Sequence, residues 1–263
     1  MSRADAALGV ALSSEDAPAA VRLILADAAG YDAATRTGGV DGSAVLFEAS
    51  APAVKALAPY LAKLKAAKAV IDGAARPGQA PISWADLEVL GARSALKKVF
   101  REAKLAAGGN AASIAAMRSE FPVVVGRVDA AAKGPGAGGA ASLPAKGADA
   151  DAIIAFFGRL GARPDGTPSS GRGLMWERPA FLAWSASLPP AEAGAEEARL
   201  AGANAEFAGT KARADLSRAT ASRTDFEVDL ADVVSRLASS KGGAVFDPDA
   251  YLYDIVVESV KLS

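Results

Sequence analysis

Alanine supplies about half of the apolar residues of this chain, and nothing else limits its fold so firmly. Hydrophobic residues make up 51% of the sequence and aromatics only 6%. Alanine has the highest helix propensity of any residue, whereas β-sheet cores are built from branched and aromatic side chains. The composition therefore predicts an all-α protein whose helices approach closely through small side chains. At 263 residues the chain is long enough for one large domain with a sizeable core.

Two absences constrain the chemistry. The sequence contains no histidine and no cysteine. Imidazole and thiolate are the usual protein ligands of transition metals and haem iron, and imidazole is the commonest general acid or base. A histidine-ligated metal, a Ser-His-Asp triad, a cysteine nucleophile and a zinc finger are all excluded by composition, and no disulfide can form. Twenty-nine basic residues against thirty acidic ones leave a net charge of -1. No global field draws in nucleic acid, so no nucleic-acid partner is expected. No apolar run reaches the roughly 18–20 residues of a transmembrane helix. Met1 to Ala11 has neither a charged leader nor a continuous apolar stretch, so no targeting peptide is expected there. Any membrane contact would be peripheral.

Periodicity places the helices. Val21, Ile24, Leu25 and Ala28 fall at i, i+3, i+4 and i+7, which predicts a helix over Glu15–Ala29 with Ser14 as its N-cap and Gly30 as its stop. A glycine-rich loop, Thr37 to Ser43, follows. A helix is expected over Ala53–Ile71, broken or kinked at Pro59. Ser83-Trp84-Ala85-Asp86 reads as a capping box that opens a helix to about Leu105. Further helices are expected over Ala111–Arg118, Asp151–Leu160, Pro179–Leu188, Ala191–Leu216, Phe226–Ser239 and Ala250–Leu262. Phe121 to Val125 reads as a short extended run. The Ala/Gly/Pro/Lys-rich stretch 130–148 reads as an irregular surface connection between lobes at 12–129 and 149–263. The lysines and arginines at 63, 65, 68, 97, 98, 101 and 104 are expected on solvated helix faces. No pair of carboxylates and no Ser-x-x-Lys arrangement stands out by its spacing.

The motifs, taken in order, resemble a known family. Val21-Arg22-Leu23-Ile24-Leu25-Ala26-Asp27-Ala28 and Gly30-Tyr31-Asp32 are similar to the distal helix of class I haem peroxidases, the ascorbate peroxidase type. Gly38-Gly39-Val40-Asp41-Gly42-Ser43, Phe47-Glu48, Ile82-Ser83-Trp84-Ala85-Asp86-Leu87, Gly126-Arg127-Val128-Asp129, Leu143-Pro144 and Phe157-Gly158-Arg159-Leu160-Gly161 continue the resemblance through about residue 162. It implies a two-lobed, haem-peroxidase-like helical fold. The departures are specific. The distal histidine's position is Ala26, the distal tryptophan's is Leu25, and only Arg22 of the trio is kept. Where the family's proximal histidine helix would follow Gly161, this chain reads Arg163-Pro164-Asp165-Gly166-Thr167-Pro168, so the proximal haem-ligand helix is expected to be missing. Met117 and Met175 do not fall where a ligand belongs.

The chain thus most resembles the haem-less ascorbate-peroxidase-like proteins of the thylakoid lumen. That resemblance implies a non-catalytic structural or assembly subunit of a photosynthetic membrane complex, photosystem II on its lumenal side, with protein subunits as partners and no cofactor. The alternative it leaves is a small-molecule-binding protein or divergent enzyme that uses the remodelled haem pocket through Arg22. Side chains are expected to fill the space around Leu25 and Ala26. By the same resemblance, Asp27, Gly39, Asp41 and Ser43 stand where secretory peroxidases hold calcium. The other reading of Asp27 is an anchor that holds the loop through backbone N–H groups. Gly126-Arg127-Val128-Asp129 is expected to form a structural ion pair or turn, and the three tryptophans to serve as core or interface residues.

Overall fold

The computed structural model describes residues 3–32, 35, 37–116, 123, 125–133, 139–161 and 183–219. Ten α-helices run through them: α1 (Arg3–Ala11), α2 (Ala17–Ala28), α3 (Ser43–Phe47), α4 (Pro52–Lys55), α5 (Ala58–Gly73), α6 (Trp84–Ala106), α7 (Ala111–Ala116), α8 (Ala150–Gly161), α9 (Pro190–Ala203) and α10 (Ala205–Arg218). Short 3-10 helices cover Ser14–Asp16 and Gly139–Ser142. Among the described residues there is no β-strand, only isolated bridge positions such as the pair Asp32 and Thr37. The all-α expectation is borne out. The expected helices over Phe226–Ser239 and Ala250–Leu262, and residues 179–182 of the one expected over Pro179–Leu188, lie outside the described residues. So do Arg163 to Pro168, Met117, Met175 and Trp176, and all of the extended run Phe121 to Val125 except Val123 and Val125.

Two helical groups form the body. In one, α1, α2, α5 and α6 pack on one another; in the other, α9 lies against α10. The predicted stripe of α2 is buried in full, with Val21, Ile24, Leu25 and Ala28 at most 2% exposed. The stripe of α8 is buried too, through Ile153, Phe156, Phe157 and Leu160 at i, i+3, i+4 and i+7. Residues 52–73 divide as Pro59 requires, since α5 restarts with that proline in its first turn, where a missing N–H costs nothing.

Several boundaries differ from the expectation, each for a local reason. The cap before α2 is Ser13 rather than Ser14. The Asp16 carboxylate accepts from the Ser13 backbone N–H at 2.7 Å, from its hydroxyl at 3.1 Å and from Lys63 Nζ at 2.7 Å. Against the upward push of burial, Lys63 and Ser13 hold the Asp16 carboxyl below its ordinary value. The sequence pattern missed α1 altogether. That helix is held by its end, where Lys98 of α6 donates to the carbonyls of Gly9, at 2.7 Å, and Leu12, a cation on the negative pole of a helix. Lys68 likewise binds Asp72 and the Ile82 carbonyl, and Lys104 is buried beside the Phe100 ring. Much of the expected solvated basic face is therefore structural. The long helix expected over Ala191–Leu216 is two, because Asn204 turns to extended backbone and its side-chain oxygen caps α10 by accepting from Phe207 N.

The connection at 130–148 is not surface throughout, as its composition suggested. Its 3-10 turn Gly139–Ser142 packs on α2 with Ala140 fully buried. The buried Glu48 carboxylate fixes it by accepting from Ala140 N at 3.0 Å. Ile24→Ala, which empties the middle of α2, is expected to lower unfolding free energy by about 2–5 kcal/mol in urea titrations followed by circular dichroism.

Candidate functional site

Asp27 ends α2 with its side chain buried, and it organises everything near the family's distal site. One carboxylate oxygen accepts from Asp41 N at 2.8 Å and Gly42 N at 2.7 Å. The other accepts from Ala44 N at 2.7 Å and Ser43 Oγ at 3.1 Å. A carboxylate has about four lone-pair positions, and four protein donors fill them. The group thereby supplies α3 with the N-terminal cap that Gly42, having no side chain, does not provide. Gly42 itself adopts φ 78°, and a Cβ there would stand 2.9 Å from Asp129 Oδ1, so only glycine suits the turn.

A second layer locks this loop to α6. Ser83 Oγ caps α6 by accepting from Asp86 N at 3.1 Å. The Asp86 carboxylate accepts from Gly126 N at 2.6 Å and Arg127 N at 3.2 Å, and pairs with the Arg127 guanidinium at 3.2 Å with both side chains fully buried. Asp129 Oδ1 accepts from Ala85 N at 3.0 Å, while Ala130 N donates to the Asp41 carbonyl. The Gly-Arg-Val-Asp motif is therefore a structural ion pair and turn, as its sequence suggested.

The structure brings the side chains of three calcium candidates, Asp27, Asp41 and Ser43, together, but it joins them to protein donors. Besides its bond to Asp27, Ser43 donates its N–H to Asp41 Oδ1 at 3.1 Å. Among the described residues no group of three or more acidic, histidine or cysteine side chains has a metal-holding arrangement. The loop-anchoring reading of Asp27 is the one the geometry supports.

Sequence reasoning missed Glu88. It sits on α6 with no exposure, no N–H or hydroxyl donor reaches its carboxyl oxygens, and its hydrogen-bonding neighbour is another carboxyl, that of Asp27. Burial pushes its pKa well above the ordinary value, and the charges of Asp27, Asp129 and Asp41 push the same way. Burial and the neighbouring Asp41 also push Asp27 up to about 7, despite the donors that favour its charged form. The available signal was a carboxylate set between Leu87, Val89 and Leu90 in the first half of α6, where Ala85 to Ala92 are all buried.

On the other side of α2 lie the degenerate distal positions. Leu25 and Ala26 are sealed in the core at 0% exposure, as expected of filled space. Arg22 is half-buried, and no carboxylate among the described residues pairs with it. Its Nη2 donates to the Pro144 carbonyl at 3.2 Å, its guanidinium lies 5.3 Å from the Trp184 ring centroid, and its buried Nη1 has no partner. Trp184 is fully buried, with its indole N–H donating to Glu196 at 3.1 Å. The hydrogen bonds of Arg199 lead the influences that hold Glu196 below its ordinary pKa. Trp84, as expected, packs partly buried against the core.

A haem does not fit these residues. The sequence offers no imidazole or thiolate for its iron, and the distal acid–base position is the methyl group of a core alanine.

Comparison with known proteins agrees with the motif order. The peroxidase family model matches residues 3–166. The thylakoid lumenal 29 kDa protein of Solanum lycopersicum chloroplasts is 33% identical over 248 residues, 90% of this chain. The protein of the same description from Arabidopsis thaliana is 29% identical over 94% of this chain. The chain spans 65% and 66% of the length of these two relatives. The crystal structure of the TL29 protein from Arabidopsis thaliana superposes with a TM-score of 0.73 at 25% identity, over 94% of each chain.

Two outcomes follow from the buried carboxyls. Asp27→Ala strands the backbone N–H groups of Gly42 and Ala44 and is expected to cost at least about 2 kcal/mol in a chemical melt. The pH dependence has a definite sign. Carboxyls with raised folded-state pKa values stabilise fully below their unfolded values and lose that contribution as pH rises. For Asp27 the loss spans about pH 4 to 7. Thermal melting temperature should therefore fall between pH 5 and pH 8, and Glu88→Gln should flatten the decline and raise stability at pH 8.

Proposed function

This chain belongs to the peroxidase family, and from that membership we propose that it is a non-catalytic structural or assembly subunit of a photosynthetic complex, photosystem II on its lumenal side. It is a peroxidase-like protein of the thylakoid-lumen type, as both curated relatives are. The observation that carries the non-catalytic reading is Ala26. In a working peroxidase the distal base takes a proton from bound peroxide; here that position has only a methyl group, enclosed in the core of a chain without histidine. Arg22, the group that would polarise the O–O bond, is tied to a carbonyl and lies beside an aromatic ring.

The structural role is supported by what the chain retains. Asp27, Asp86, Arg127 and Asp129 hold the loop and α6 in place with buried, fully directed bonds, so the framework persists without the chemistry. No helix among the described residues is long and apolar enough to cross a membrane, so attachment to a membrane complex through these residues would be peripheral. A second reading, a small-molecule-binding protein, is favoured by a groove beside Arg22 and is taken up below.

Hemin added to the purified protein should give no sharp Soret band and no peroxide-dependent ascorbate oxidation; a stoichiometric band overturns the non-catalytic reading. Thylakoids solubilised in mild detergent and run on a native gradient should show the protein migrating with photosystem II particles. Migration as a free monomer overturns the subunit reading.

A further inference from the structure

The groove beside α2 is a built cavity of about 850 Å³, within the range of pockets that hold small molecules. Its walls are almost wholly apolar, formed by Pro18 and Ala19 of α2, Leu57 before α5, Leu143, and Leu188 before α9. Two cations and one acid reach it. Lys146 is already paired with Glu192 at 2.6 Å, and Glu15 is exposed. The third is Arg22, whose Nη1 is buried without a partner.

We propose that this groove binds a small amphiphilic monocarboxylate, its head on the Arg22 guanidinium and its hydrocarbon body against the apolar wall. The argument is one of complementarity. The Arg22 guanidinium lines the groove with no carboxylate partner among the described residues, and an anionic oxygen would supply a charge-assisted hydrogen bond there. The Pro144 carbonyl and the Trp184 ring hold the guanidinium in position before any ligand arrives, so little ordering entropy is lost on binding. The apolar walls give a bare anion nothing to bury, and the Glu15 carboxylate works against a doubly charged head group. A single negative charge on an apolar chain satisfies all of these conditions. The inference deepens the second reading above and does not depend on any photosynthetic partner, so it can fail while the subunit reading stands.

The test is calorimetric titration of the full chain with sodium decanoate below its micelle concentration, with fluorescence of the neighbouring Trp184 as a second readout. Saturable binding of one decanoate per chain is expected. Arg22→Gln should weaken it at least tenfold, and Ala19→Trp, which fills the groove from α2, should abolish it. Circular dichroism and melting curves check that both variants fold. Decyltrimethylammonium, with the same chain and the opposite charge, should not bind. The proposal is overturned by absence of decanoate binding, by equal binding in Arg22→Gln or Ala19→Trp, or by equal binding of the cationic amphiphile. Inorganic phosphate or acetate binding as tightly as decanoate also overturns it, since that would mark a site for bare anions.

Discussion

The structure depends on one buried carboxylate. Asp27 accepts four donors from residues 41–44, three of them backbone N–H groups leading into α3. Through the same loop it meets Asp129 and the Asp41 carbonyl, and so reaches the Asp86–Arg127 pair and the start of α6. A chain of hydrogen-bonded groups thus ties two central helices to an irregular loop in a region with little water. In such surroundings directed bonds are strong, and unmet ones are expensive.

That arrangement gathers negative charge. Asp27, Asp41, Asp129 and the buried Glu88 influence one another's protonation, while Arg127 is engaged by Asp86. The interior therefore favours bound protons, which is why stability and acidity are coupled here with a sign opposite to that of Asp16 or Glu196, whose partners are cations.

Much of this was legible in the sequence because it rests on local rules. The stripe of α2, the proline at the start of α5 and the serine cap of α6 each show in a few neighbouring residues, and the motif order identified the scaffold. Other features were hidden for physical reasons. The anchor of α1 is a lysine 86 residues or more away in sequence, which no short window contains. The break at Asn204 lies between alanine-rich stretches that read as helix on both sides. The buried turn at 139–142 has the composition of a loop and is drawn inward by Glu48, a contact 92 residues apart. The unpaired state of Arg22 was invisible, since sequence shows a charge but not what surrounds it.

Ala26 and Asp27 are adjacent in the chain, yet a helix turns consecutive residues by roughly 100 degrees. One points where peroxide chemistry would be done and the other holds the loop. Reactivity and architecture therefore occupy separate sectors of one cylinder. A lineage can erase the former by single replacements at one sector without disturbing the latter, and a working catalyst can decay into a durable building block by ordinary point mutation.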